Sequence, residues 1–170
     1  DGDEKRWLSR RSSTGDKIWT REIGVSSNKE RSDHAAMATD TKGDVWLAYE
    51  IPGTGETTDV QIERRAPDGT LEFEDIYRGP ADEDDGIYSV AIAPTGAIVL
   101  GGYSEVSSLN PNTWLQVREP TGAVAWTRVF GEDGVDWSSA VTADAGHVYA
   151  TGCVVPRFLP SDVWTAKYAL

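Results

Sequence analysis

The chain repeats itself, and the period of that repeat limits its fold more than any other feature. STGDKIWTREIG at 13–24 and PTGAVAWTRVFG at 120–131 share a small residue, Thr-Gly, a short gap, Trp-Thr-Arg, two residues and Gly. Midway lies PDGTLEFEDIYRG, with Gly69 placed 54 residues after Gly15 and 53 before Gly122. Phe73 stands where Trp19 and Trp126 stand. A second glycine series, Gly43, Gly96 and Gly146, runs through the same units at spacings of 53 and 50. Each glycine joins two alternating segments rich in β-branched and aromatic residues, the mark of paired strands around a tight turn. Such a turn needs positive φ, which a Cβ resists. No segment carries the apolar spacing and caps of a helix.

The unit is therefore strand, Gly turn, strand, polar loop, strand, Gly turn, strand. Three copies span approximately 3–56, 57–110 and 111–160, and residues 161–170 restart the unit, with Trp164 placed 50 after Trp114. Four-stranded units of this size with recurring Gly and aromatic positions are the sequence mark of β-propeller blades. The expected fold is all-β, a partial β-propeller of three four-stranded antiparallel blades plus the first strand of a fourth, in one repeat domain over 1–170. Recurrence in register assigns Trp7, Trp19, Trp114, Trp126 and Trp164 to packing between blades.

The residues D-x-W-x-x-K-Y at 162–168, W-T-R-x-x-G at 19–24 and 126–131, and G-x-V-Y-x-T-G at 146–152 resemble the bacterial SBBP-type (seven-bladed β-propeller) repeat family. The resemblance covers nearly the whole chain and is weakest in the second unit, where Gln61 and Phe73 replace the two tryptophans. It implies a propeller of the secreted or surface-lipoprotein type, outside the cytoplasm or attached to a surface. It brings no catalytic residues with it. Thr-Gly-x-x-x-Trp is also similar to the tryptophan-docking motif of quinoprotein propellers. The period here is longer than expected for that motif, and the paired cysteines carried by many quinoprotein alcohol dehydrogenases are absent.

Composition narrows the partners. The net charge is −12, from 28 acidic and 16 basic residues. Phosphate binding needs clustered Lys and Arg, so nucleic acid and anionic membrane are poor partners. No apolar run approaches a membrane span. Cys153 is the only cysteine, which excludes an internal disulfide and a Cys-rich zinc site. The chain opens on DGDEKR without an initiator Met or signal peptide, which reads as a processed or excised piece.

Candidate chemistry is sparse. The loop ADEDDG holds Asp82, Glu83, Asp84 and Asp85, and the third unit offers Glu132, Asp133 and Asp136 in GEDGVD. The first unit offers Glu30 and Asp33. Calcium takes six to eight oxygens, so Asp82, Asp84, Asp85, Asp133 and Asp136 are weak calcium candidates. The run lacks the order of a calcium loop, and a solvated acidic loop is the plainer reading. His34 and His147 occupy different places in their units and have no i, i+4 partner, so they read as ordinary histidines. No nucleophile elbow or P-loop occurs.

Trp137 does not recur, because Ile87 and His34 take its place in the other units. Beside an acidic loop it is the ligand-binding candidate, stacking on a sugar or gripping a peptide, or else it fills a gap in its own blade. The expected role is a non-enzymatic scaffold or binding module. It would contact protein partners, or itself, through open blade edges, with no cofactor beyond possible calcium. A carbohydrate-binding module and a fragment of a larger propeller enzyme are the alternatives.

Overall fold

The computed structural model describes residues 5–25, 34–54, 57–157 and 160–170. Those residues contain strands and turns and no helix. Strands β1 (Lys5–Arg11) and β2 (Lys17–Val25) form a two-stranded sheet. The second sheet is β3 (Ala35–Thr39), β4 (Val45–Pro52), β5 (Thr58–Arg65) and β6 (Leu71–Tyr77). The third is β7 (Asp85–Ile92), β8 (Ile98–Glu105), β9 (Pro111–Arg118) and β10 (Val124–Phe130). The fourth is β11 (Gly134–Ala143), β12 (His147–Pro156) and β13 (Asp162–Ala169). Every sheet is an antiparallel meander of consecutive strands.

The sheets run out of step with the units read from the sequence by two strands. β4 and β5, and β8 and β9, are joined as hairpins inside one sheet, closed by Gly53 N to Thr57 O at 2.9 Å and Val106 N to Asn110 O at 3.3 Å. Residues 78–84 and 131–133 instead carry the chain from one sheet to the next. Both kinds of loop are polar, so composition does not separate them. The segment 162–169 pairs with β12 and completes a three-stranded sheet instead of opening a new one.

Five hairpins share one turn. At Gly15, Gly43, Gly69, Gly96 and Gly122 the glycine N–H bonds back three residues, the flanking pair closes over five, and φ lies between +86° and +96°. This is a type I turn followed by a left-handed glycine. The expected sixth, Gly146, departs from the set. Its turn is one residue shorter, closing from Asp144 N to His147 O at 3.0 Å, and Gly146 has no positive φ. The Asp144 carboxylate organises it by accepting from the N–H groups of Gly146 and His147 at 2.8 and 2.7 Å. An arginine at the end of the preceding strand braces three of the glycine turns. Arg11, Arg65 and Arg118 donate to the carbonyls of Gly15, Gly69 and Gly122 at 3.0–3.1 Å.

Apolar clusters between sheets hold the stack together. β4 is buried on both faces: Leu47 and Tyr49 meet the first sheet beside Leu8 and Ile23, while Trp46 and Ala48 meet the third beside Ile98 and Leu100. β8 repeats the arrangement, with Val99 turned to Val148 and Ala150 of the fourth sheet. Strands covered on both faces read as continuous apolar runs, which explains VWLAY and IVLGG. Arg10 and Arg64 tie neighbouring sheets by donating to the Pro67 and Pro120 carbonyls at 3.0 and 3.1 Å. β7 lies against both β3 and β11, so the first strands of three sheets run side by side.

The recurring aromatics occupy these seams, with one exception. Trp114 is fully buried and stacks on Tyr77 with ring centroids 4.1 Å apart. Trp164 meets Phe130 edge-on at 5.6 Å, and Trp126 faces Tyr168. Trp19 donates its indole N–H to Pro67 O at 3.0 Å, and Phe73 packs under the Gly122 turn. Trp7 departs from the expectation. It is 59% exposed, because no described sheet covers its side of β1–β2.

A size exchange runs through the same seams. The cross-strand pair Gly102–Trp114 matches Gly152–Trp164, where the indole occupies the space a Cβ on Gly152 would need. The matching pair in the second sheet is Tyr49–Gln61, large where the others are small and small where they are large. The Tyr49 hydroxyl there donates to Glu63 at 2.7 Å, and burial followed by that carboxylate pushes its pKa up.

Candidate functional site

A cleft of about 460 Å³ opens where β3, β7 and β11 begin. Three sheets line it. The second sheet supplies His34, Glu50 and Thr58, and the third supplies Tyr88, Tyr103, Glu105 and Pro111, with Asp84 just ahead of β7. The fourth supplies Val135, Asp136 and Trp137.

Glu50 ends the apolar run of β4 and is only 4% exposed. Its carboxylate accepts from the His34 backbone N–H at 3.2 Å and lies 3.1 Å from His34 Nδ1. An ionised carboxylate only accepts, so in that state of Glu50 the donor is His34 Nδ1–H. Glu50 also reaches the third sheet, within 2.7 Å of where a Gly86 Cβ would sit, with the Tyr103 ring closer still. Any side chain at Gly86 would displace one of the two. The His34 ring meets Tyr88 edge-on at 4.7 Å, and Tyr88 meets Tyr103 at 5.8 Å. Burial, then the charge of Glu50, raises the pKa of the Tyr88 phenol.

Asp84 bridges two sheets by accepting from Thr58 N and Oγ1 at 2.9 and 3.3 Å. Asp136 is 1% exposed. Its Oδ2 accepts from Glu132 N at 2.8 Å, while Oδ1 has no hydrogen-bond partner. The Val155 amide also favours the charged form. Burial outweighs both amides and raises the Asp136 pKa.

The ladder register corrects one equivalence drawn from the sequence. Trp137 faces Cys153, and the matching pairs are Gly86–Tyr103 and His34–Glu50. Gly86, not Ile87, therefore shares the place of Trp137. Irregularities between Ile87 and Ser89 and between Ser138 and Ala140 shift the numbering beyond it. Asp85 and Asp136 stand at one place in their sheets, each accepting from an amide of the preceding loop. Asp33, which stands one residue before His34, lies outside the described residues, as does Glu30.

The structure thus brings Trp137, Asp84, Asp136 and His34 to one cleft. Asp85 turns instead to Gly79 N at 2.5 Å. Asp82 is an exposed acceptor for Thr54, and Asp133 is exposed. Among the described residues no three His, Cys, Asp or Glu side chains gather as a metal site. His147 sits elsewhere, beside Asp144 on the Gly146 turn. Sequence reasoning missed Glu50, Tyr88, Tyr103 and Glu105. The available signal was that Glu50, Tyr103 and Cys153 hold one non-repeating place at the end of otherwise similar strands. No protein-family model matches the chain, and no curated protein matches it.

Proposed function

We propose that this chain is an arc of a β-propeller acting as a non-enzymatic binding module, with its ligand held in the cleft at the start of β3, β7 and β11. Four-stranded antiparallel meanders stacked face on face, with their first strands adjacent, support the arc. One observation carries the binding role. Turns, braces and seam aromatics repeat from sheet to sheet, whereas the cleft wall does not. The same place holds His34–Glu50, Gly86–Tyr103 and Trp137–Cys153. Repeat proteins put recognition where repeats differ. Action outside the cytoplasm rests on the resemblance to SBBP-type repeats. Self-association rests on the end faces, which expose Trp7 and Ile18 on one side and Val163 on the other.

A carbohydrate ligand is the second reading, favoured by the half-buried Trp137 ring beside the Asp136 carboxylate. Amide and indole NMR of the 170-residue chain, titrated with peptide and oligosaccharide pools, tests the site. The binding role predicts shifts at His34, Tyr88 and the Trp137 indole. Pools that leave those signals still, or bind only elsewhere, refute it.

A further inference from the structure

We propose that the free edge of β13 binds an extended strand from a partner polypeptide, one that sets an aromatic residue opposite Lys167 and an aliphatic residue opposite Trp164. The cleft plays no part in this, so failure here leaves the binding role of the cleft standing. The pairs Gly102–Trp114 and Gly152–Trp164 put β13 at the place of β9 in its sheet. β5 pairs with β4 and β6, and β9 pairs with β8 and β10, whereas β13 pairs with β12 alone among the described residues. A strand edge with unpaired amides and carbonyls is a template for another strand. The usual protections of such an edge are missing. β13 keeps an unbroken register on β12 from Asp162 to Ala169, without proline or bulge. Its one lysine, Lys167, lies back over the Tyr149 ring of its own sheet at 5.4 Å.

The other three sheets specify what the neighbour carries, because their outer strands meet this place in one register. Glu22, Ile76 and Val129 stand opposite Trp7, Gln61 and Trp114, the equivalents of Trp164. Arg21, Asp75 and Arg128 stand opposite Leu8, Ile62 and Leu115, the equivalents of Thr165. Trp19, Phe73 and Trp126 stand opposite Arg10, Arg64 and Val117, the equivalents of Lys167. An aromatic residue recurs in that last place, and a ring beside a cation is a favourable pair. Burial shows the same shortfall. Trp114 has Val129 beside it and is fully buried, whereas Trp7 has Glu22 beside it and is exposed. Trp164 meets Phe130 much as Trp114 meets Tyr77, yet it stays half-buried. β10 flanks Trp114, and no described strand flanks Trp164 on that side.

The test is amide and indole NMR of the 170-residue chain titrated with an acetylated, amidated peptide of residues 123–131, AVAWTRVFG, and with its scrambled form. The peptide shifts the Val163–Ala169 amides and the Trp164 indole in a saturable way, and the scrambled form binds about tenfold more weakly. Successive N–H groups of a strand point to opposite edges, so the peptide is also methylated on its backbone nitrogens in two alternate sets. One set weakens binding by about tenfold or more and the other leaves it. A nitroxide on the peptide N-terminus broadens Tyr168, and one on its C-terminus broadens Val163, as the β9–β10 register requires. Thr165 is exposed and stands opposite the peptide arginine. Thr165→Lys therefore weakens binding and Thr165→Glu tightens it, each by about two- to fivefold. Equal losses from the two methylated sets, or silence at β13, overturn the strand. Equal binding by the scrambled peptide overturns the residue pattern. Shifts at β9 in place of β13 mean that the peptide displaces β10, and they overturn the edge. β13 amides that move with protein concentration but ignore the peptide overturn the partner and assign the edge to a second copy.

Discussion

Replacing Asp85 with asparagine should stabilise the protein at neutral pH and leave it nearly unchanged near pH 4. Asp85 begins β7, is 1% exposed, and accepts from Gly79 N at 2.5 Å. Burial pushes its pKa up to about 6, against the pull of the Ser104 hydroxyl and the Gly79 amide, with Asp59 and Glu105 adding to the rise. The unfolded chain titrates this carboxyl near about 3.9. A carboxyl with the higher pKa when folded binds more protons in the folded state. Stability therefore falls as pH rises from about 4 to about 6, then levels. A gap of about two pH units corresponds to about 3 kcal/mol at pH 7. The asparagine amide can still accept from Gly79 N–H and never ionises. Urea unfolding of both proteins between pH 4 and 8 isolates the effect, because the other acidic groups titrate alike in both and cancel. The expected advantage of Asp85→Asn is near zero at pH 4 and grows to about 3 kcal/mol by pH 7. A difference that stays flat with pH, or a variant that loses ground as pH rises, refutes the reasoning.

Other expectations follow from the same coordinates. Trp114→Ala should cost about 3–5 kcal/mol, because it empties a fully buried site stacked on Tyr77. Trp7→Ala, at the matching repeat position but 59% exposed, should stay within about 0.5 kcal/mol by the same urea titration. Gly15→Ala should cost about 1–2 kcal/mol, since φ is +89° and nothing lies within 4 Å of the new Cβ. Gly122→Ala should cost more, since its Cβ would fall 2.5 Å from the Phe73 ring. Equal losses at the two glycines would refute the packing argument. Sedimentation velocity should show concentration-dependent association of the chain, reduced in Trp7→Ser/Val163→Lys. Indifference to that double change would remove the end faces as the contact.

The sequence showed strands, turns and seam residues well, because each depends on local chemistry repeated several times. Gly15, Gly69 and Gly122 announce their turns, and Trp114 and Trp164 announce their seams. Sheet membership was harder to read. A polar loop that closes a hairpin, 106–110, and one that crosses between sheets, 78–84, draw on the same kinds of residue. The cleft was half visible. Trp137 stood out because it breaks the repeat, but Glu50 is the last residue of an apolar run and Tyr88 falls at a ladder irregularity. Their convergence depends on which strands lie side by side, and spacing along the chain does not record that.

The exchange of Tyr49–Gln61 for Gly102–Trp114 and Gly152–Trp164 bears on how such a chain can be re-engineered. A repeat that takes its second-column residue from the other sheets and keeps Tyr49 sets tryptophan opposite Tyr49, and the two rings compete for one space. These columns can be swapped between sheets only as couples. Grafts that move one member alone should fail to pack, although each residue is native somewhere in the molecule.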